Sequence, residues 1–239
     1  MFEPTVREDV LRLERPGTDW LSTGWQGGRS LADACYSITV PDGWHCDDLE
    51  SYVNERLLRA GFDDDTTTRR VDAPVLLTGV SLEHARAARC GSCTAYATVG
   101  VSNPAALPME PAGGDLPDGS LTPGTVNVVV GTTRACGPGA LANLVAVAAE
   151  AKAATLLDLT GFPGTTSDAV VVASDPAGQT APFSGSATRV GAAARACVRE
   201  AVAASFESRY REKTPPSTVE EAEFGVRTDV RAAVFDPFQ

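Results

Sequence analysis

The chain switches between short runs in which apolar and polar residues alternate and longer runs in which apolar residues recur every three or four positions, a pattern that predicts both strands and helices. At 33–41, DACYSITVP alternates and stops at a proline, which is a strand signal. The segment DDLESYVNERLLRAGF then spaces Leu49, Tyr52, Val53, Leu57 and Ala60 at helical intervals, with Asp47 and Glu50 in capping-box positions and Gly61 as the stop. Runs rich in β-branched residues and bounded by turn formers predict further strands in APVLLTGV, SCTAYATVGVSN, GTVNVVVGT and SDAVVVAS. Long helices are expected at about 138–159 and 188–210. Near the start, STGWQGG at 22–28 follows the apolar step Trp20-Leu21 and reads as a strand end opening into a tight loop.

Two stretches break this rhythm. Residues 103–124, NPAALPMEPAGGDLPDGSLTPG, form a proline- and glycine-rich loop, long enough to be either a disordered insert or a functional lid. From Lys213 onward periodicity is lost and acid accumulates, which predicts a loosely attached tail. The expected organisation is therefore one α+β domain over 1–210, a mixed β-sheet layer covered by two long helices, followed by an acidic C-terminal tail at 211–239. Strands do not alternate regularly with helices, which argues against a doubly wound parallel sheet.

Charge narrows the partners. With 20 basic against 31 acidic residues the formal net charge is −11, so neither nucleic acid nor an anionic membrane is expected, because both reward clustered Lys and Arg. A small-molecule partner fits better, and a homo-oligomer is left open. No apolar run approaches the ~20 residues that cross a bilayer, and MFEPTVREDV lacks the layout of a signal peptide, so a cytoplasmic location is expected. Lys152 and Lys213 are the only lysines. This acidic, arginine-dominated balance is that of a salt-adapted protein. The cysteines at 35, 46, 90, 93, 136 and 197 are expected to be reduced thiols. CGSC at 90–93 lacks the second ligand pair that a zinc site needs, so no metal is expected.

The stretch AEAKAATLLDL at 149–159 sets Glu150 and Lys152 inside a largely apolar helix. On a helical wheel Lys152 shares a stripe with Leu141, Val145, Ala148 and Thr155, while Glu150 lies round the other side with Asn143, Val147 and Ala154. The two cannot pair locally, and apolar residues on both faces predict a helix packed between two layers, where each charge needs a partner from another segment. The plain alternative is that Lys152 snorkels to the surface and Glu150 meets an arginine. Thr165, Thr166, Ser167 and Asp168, at the mouth of the SDAVVVAS strand, offer the clearest partners. Asp168 could equally cap its own loop. GxSxG, HExxH and GxxxxGK[ST] are all missing, and the two histidines lack triad context. What remains is chemistry with hydroxyl, lysine and carboxylate groups, an alternative route to amide cleavage.

Taken in order, LSTGWQGG, VGVSN, PGTVNVVV, AEAKAATLLDL, TTSDAVVVAS and the helix in FSGSATRVGAAARACVREAV resemble the adenosylcobinamide amidohydrolases of corrinoid salvage, over about 20–206. The family pattern reads Thr-Glu-Ala-Lys-Thr at 149–153 and Thr-Gly-Thr-Gly-Thr-Asp at 163–168. This chain keeps Glu150, Lys152 and Asp168, with Ala149, Pro163 and Thr166 among its departures. The resemblance implies hydrolysis of the amide joining the corrin propionyl arm to aminopropanol, giving adenosylcobyric acid and 1-amino-2-propanol. No cofactor is expected, since the cobalt belongs to the corrinoid substrate. Lys152, Glu150 and Asp168 become the candidate catalytic residues, Lys152 as base or as a cation for the developing oxyanion. Ser22, Thr23, Gly24, Trp25, Asn103, Thr125, Asn127, Thr165, Thr166 and Ser167 become the candidate substrate-binding residues. The competing readings are a corrinoid-binding protein without chemistry, which an exposed Lys152 far from Asp168 would favour, and an amidase for another amide.

Overall fold

The structure, a computed structural model, describes residues 2–41, 43–62, 72–116 and 126–238. Along the chain these form β1 (Glu3–Arg7), β2 (Val10–Ser22), β3 (Gly28–Thr39), α1 (Leu49–Arg59), β4 (Val75–Thr78), a single 3-10 turn at Leu82–His84, β5 (Arg86–Cys90) and β6 (Cys93–Val99). There follow β7 (Ala105–Ala106), β8 (Val126–Cys136), α2 (Pro138–Thr160), β9 (Ala169–Ala181), α3 (Arg189–Arg209) and β10 (Val226–Arg227). The main sheet runs β4-β3-β2-β9-β8-β6-β5, and β1 pairs with β2 beside it. Only the β3–β4 and β8–β9 pairs in this sheet are parallel. This is the expected mixed α+β domain.

β8 reads VNVVVGT because both of its faces are covered, and its first seven residues are all buried. Val126, Val128 and Val130 meet Leu141, Leu144 and Ala148 of α2 and Ala194, Val198 and Ala201 of α3. Burying a valine of this kind contributes about 1.5–3 kcal/mol. The opposite face carries Val129, Val171 and Trp20, with Phe2 stacked on Trp20 at 5.3 Å. α1 closes a third cluster through Val53 and Leu57 against Val10, Tyr36 and Ile38. The sheet also curls on itself: β4 lies at its edge, yet Asn127 Nδ2 of β8 donates to the Leu77 carbonyl at 2.7 Å and the Thr98 hydroxyl of β6 donates to the Thr78 hydroxyl at 3.4 Å.

The differences from the sequence reading have local causes. β2 runs from the strand end read at Trp20-Leu21 back to Val10, straight through Pro16-Gly17. That dipeptide is a bulge within one strand, where the register against β3 shifts and Gly17 N donates to Asp33 at 2.8 Å. β9 continues past Pro176 and Gly178 to Ala181, and Gly178 is required there because a Cβ would stand 2.1 Å from the Thr133 carbonyl oxygen. α1 is capped by Asp48, which accepts from Ser51 N at 3.0 Å, rather than by Asp47. The expectation that α2 is sandwiched is corrected: Ala142, Asn143, Ala146, Glu150, Ala154 and Leu157 form an exposed face. α2 is also long and apolar enough to cross a membrane by length and composition, yet its Leu141, Leu144 and Leu156 are packed in the core.

Part of the tail, 224–231, is held more closely than a loose attachment. β10 adds a parallel strand to β7, with Val226 N donating to the Pro104 carbonyl and Thr228 N to the Ala106 carbonyl, both at 2.9 Å. Backbone pairing holds this segment, which is why its lack of apolar periodicity was misleading.

Candidate functional site

α2 connects the end of β8 to the start of the parallel β9, so its C-terminal half returns to the mouth where both strands begin. Lys152 sits on that half and is buried, only 8% exposed. Its ammonium donates to Oδ2 of Asp168, the residue immediately before β9. Lysine at this depth needs a counter-charge. The Asp168 carboxylate is held by three further donors: Val126 N to Oδ1 at 3.0 Å, Thr165 N to Oδ2 at 3.1 Å, and the Thr165 hydroxyl to Oδ1. Gly164 passes so close that a Cβ there would stand 2.4 Å from Asp168 Oδ2 and 2.9 Å from Lys152 Nζ. The turn before β9 is therefore built around the ion pair.

Asn103, fully buried, brings in the next layer. Its Nδ2 donates to the Thr166 hydroxyl at 2.6 Å and lies 3.4 Å from that of Ser167, while its carbonyl accepts from Thr166 N at 3.1 Å. Ala105 N donates to the Gly164 carbonyl at 3.0 Å, so the start of the 103–116 loop is laced to the Gly164–Thr166 turn. A buried positive charge balanced by one carboxylate thus lies beside a row of hydroxyls, a set that can stabilise a developing oxyanion and orient an amide.

The other candidates divide. Thr23 stitches the STGWQGG loop to β9 two residues beyond Asp168, its N–H donating to the Val170 carbonyl at 3.0 Å and its hydroxyl accepting from Val170 N at 2.9 Å. Ser22 is buried and accepts from Gly24 N at 3.1 Å, Gly24 lies against Leu76, and Trp25 packs on the α1 cluster. A polar cleft of about 310 Å³ opens beside this loop, lined by Ser22, Gln26, Gly27, Arg29, Asp72 and Pro74. Asn127 does not join the ion pair: its neighbours Val126 and Val128 face the helices, so its side chain points to the opposite face, where it ties β8 to β4. At Glu150 the structure corrects the expected shared site. The residue is on the exposed face of α2 and pairs with Arg195 of α3 at 3.1 Å, the plain alternative for that charge, because two positions along a helix turn it about 200° away from Lys152. Thr125 lies outside the described residues.

Sequence reasoning did not single out Gly164, whose role appears only once Lys152 and Asp168 converge on it. It also missed the Val126 amide, since a backbone donor leaves no mark on composition. Cys90 and Cys93 are register partners across the β5–β6 turn. Cys93 is buried, with its thiol 3.5 Å from the Val190 carbonyl. No group of three or more His, Cys, Asp or Glu side chains able to hold a metal comes together among the described residues.

Fold and site together define an α+β domain with a buried lysine–carboxylate centre at a strand mouth. Residues 5–214 match the family model described as adenosylcobinamide amidohydrolase (CbiZ). The chain is 63% identical, over 238 residues, to an adenosylcobinamide amidohydrolase of Halobacterium salinarum, covering 99% of this chain and 100% of that one. It is 27% identical over 199 residues to another of that name from Methanosarcina mazei, covering 79% and 90% respectively. The PH0078 protein of Pyrococcus horikoshii OT3 superposes with a TM-score of 0.44 at 12% identity, covering 86% of this chain and 79% of that one, too loose a likeness to bear on the fold. The chain belongs to the adenosylcobinamide amidohydrolase family. The lysine-poor, acidic composition that pointed to a salt-adapted source fits the organism of the first relative.

Proposed function

We propose that this protein is an amidohydrolase that cleaves the amide between the corrin propionyl arm and aminopropanol in adenosylcobinamide, releasing adenosylcobyric acid and 1-amino-2-propanol. Family membership over nearly the whole chain supports the reaction. The observation that carries the chemistry is the burial of Lys152 on Asp168. An exposed Lys152 remote from that carboxylate would have favoured a corrinoid-binding protein without turnover; the lysine is buried and paired, which supports the amidase reading. In this reading water adds to the amide carbon, the carbonyl oxygen gains negative charge, and Lys152 stabilises it. Asp168 holds the ammonium in place, and the hydroxyls of Thr165, Thr166 and Ser167 with Asn103 orient the amide. The proton that the attacking water gives up is the one the leaving amine takes as the C–N bond breaks. Amide hydrolysis transfers no electrons, so the protein needs no redox cofactor of its own, and the cobalt enters as part of the substrate. Glu150 is left out of the chemistry.

The test is direct. Purified protein is incubated with adenosylcobinamide, and adenosylcobyric acid and 1-amino-2-propanol are quantified together. Equimolar release is expected. Corrinoid binding without either product would establish the non-catalytic alternative.

A further inference from the structure

The segment 215–231 lies beyond the stretch that the family model matches, yet it is docked against the loop that supplies Asn103. The segment 103–106, which ends in β7, has two sides. On one, Thr166 N donates to the Asn103 carbonyl and Ala105 N to the Gly164 carbonyl. On the other, Phe224 N, Val226 N and Thr228 N donate to the carbonyls of Ser102, Pro104 and Ala106 at 3.3, 2.9 and 2.9 Å. The segment carrying Asn103 therefore lies between the Gly164–Thr166 turn, bridged at Pro104 and Thr165, and β10 of the tail. Further along, Asp229 grips the far limb of the same loop: its Oδ1 accepts from Ala112 N and its carbonyl from Gly113 N, both at 3.1 Å. Arg231 donates to the Pro111 carbonyl at 2.7 Å. Arg227 pairs with Glu220 at 2.9 Å and stands 3.9 Å from Asp229.

We infer that 224–231 acts as a strap that holds the 102–113 loop so that Asn103 keeps the Thr166 and Ser167 hydroxyls oriented, with Val226 and Asp229 as positioning residues for corrinoid binding. The inference rests on the amidohydrolase reading for the identity of the ligand. A strand of two residues gains little from its own packing, so its order depends on hydrogen bonds from both neighbours. Removing one neighbour lets the strand fray while the large sheet and α2 stay intact. Asn103, Thr166 and Ser167 hold the amide alike in the ground state and the transition state, whereas the developing charge is met by Lys152, which the strap does not touch, so loss of the strap raises KM and leaves kcat. On this division 1–210 carries the chemistry and the 211–239 segment carries the strap.

Four full-chain variants test it. Val226→Pro removes the N–H that pairs with Pro104, and Val226→Ala keeps it. Asp229→Ala removes the acceptor for Ala112 N, and Asp229→Asn retains a side-chain oxygen there. Hydrogen exchange is followed at the amides of Ala105 and Thr166, the Kd for adenosylcobinamide by titrating its corrin absorbance, and KM and kcat by product release. Val226→Pro and Asp229→Ala are each expected to speed exchange at those two amides without changing it in β8 or α2. Both should raise Kd and KM about fivefold or more, one lost hydrogen bond being enough for such a change, with kcat within about twofold. Val226→Ala and Asp229→Asn should stay near wild type. Unchanged exchange or unchanged Kd in Val226→Pro overturns the strap. So does faster exchange spread over the whole chain, which marks general destabilisation. A wild-type protein that binds the corrinoid without turnover sinks the amidase reading and leaves the strap to be decided by Kd, whereas one that does not bind at all overturns both.

Discussion

Replacing Lys152 with methionine keeps an unbranched side chain of similar length and removes the charge, and the structure sets separate magnitudes for folding and for turnover. Breaking a buried ion pair by removing one partner usually costs about 3–5 kcal/mol, because the other charge is left uncompensated. Here Asp168 keeps Val126 N, Thr165 N and the Thr165 hydroxyl. Three of four donors remain, so the loss for Lys152→Met should fall at or below the low end of that range, and the variant should fold. Turnover responds differently. If the ammonium faces the oxygen on which charge develops, its loss resembles that of one oxyanion donor, about 10²–10³ in kcat, with little change in KM. Asp168→Ala is the sharper perturbation for stability, because it strands a buried ammonium and also orphans the amides of Val126 and Thr165. It should unfold at a clearly lower temperature than Lys152→Met. The assay combines adenosylcobyric acid release, corrin-absorbance titration and thermal unfolding on both variants. A Lys152→Met protein that folds, binds and turns over like wild type would falsify the role given to the ammonium. Equal unfolding temperatures for the two variants would show that the three remaining donors do not hold the carboxylate.

Gly164→Ala should lower both stability and kcat, since its methyl would sit 2.4 Å from Asp168 Oδ2, and overpacking of this kind costs about 1–3 kcal/mol; unchanged melting and turnover would mean that the turn yields freely. Glu150→Gln should leave kcat unchanged and shift stability by less than about 1 kcal/mol, as for exposed pairs, because its partner Arg195 is on the outer surface; a large drop in kcat would return Glu150 to the chemistry. His84 predicts a pH effect on stability: burial outweighs the attraction of Glu83 and, with the positive charges of Arg209, Arg86 and Lys213, pushes its pKa below the ordinary 6.5. The native state then resists a proton that the unfolded chain accepts, so the His84 contribution is full above pH 6.5 and is lost as pH falls below it. Thermal unfolding of wild type and His84→Gln across pH 5–8 should show that part of the decline disappear in the variant.

The sequence by itself determined the elements whose periodicity is undisturbed. The long helices, the β-branched strands and the α+β class were legible because burial on one or both faces writes itself into spacing. The juxtaposition of Lys152 with Asp168 was anticipated from the need of a buried charge for a partner and from motif order. Tertiary structure decided the rest, each time for the same physical reason. Pro16-Gly17 and Pro176 look like breaks until a bulge and a close backbone approach accommodate them. Glu150 and Lys152 are two residues apart, and only the packing of α2 shows that one faces the core and the other Arg195. The docking of 224–231 on 102–113 uses backbone amides and carbonyls, groups that every residue carries, so no pattern of side chains could have announced it. Gly164 and the Val126 amide acquire their roles only where segments distant along the chain converge on one carboxylate.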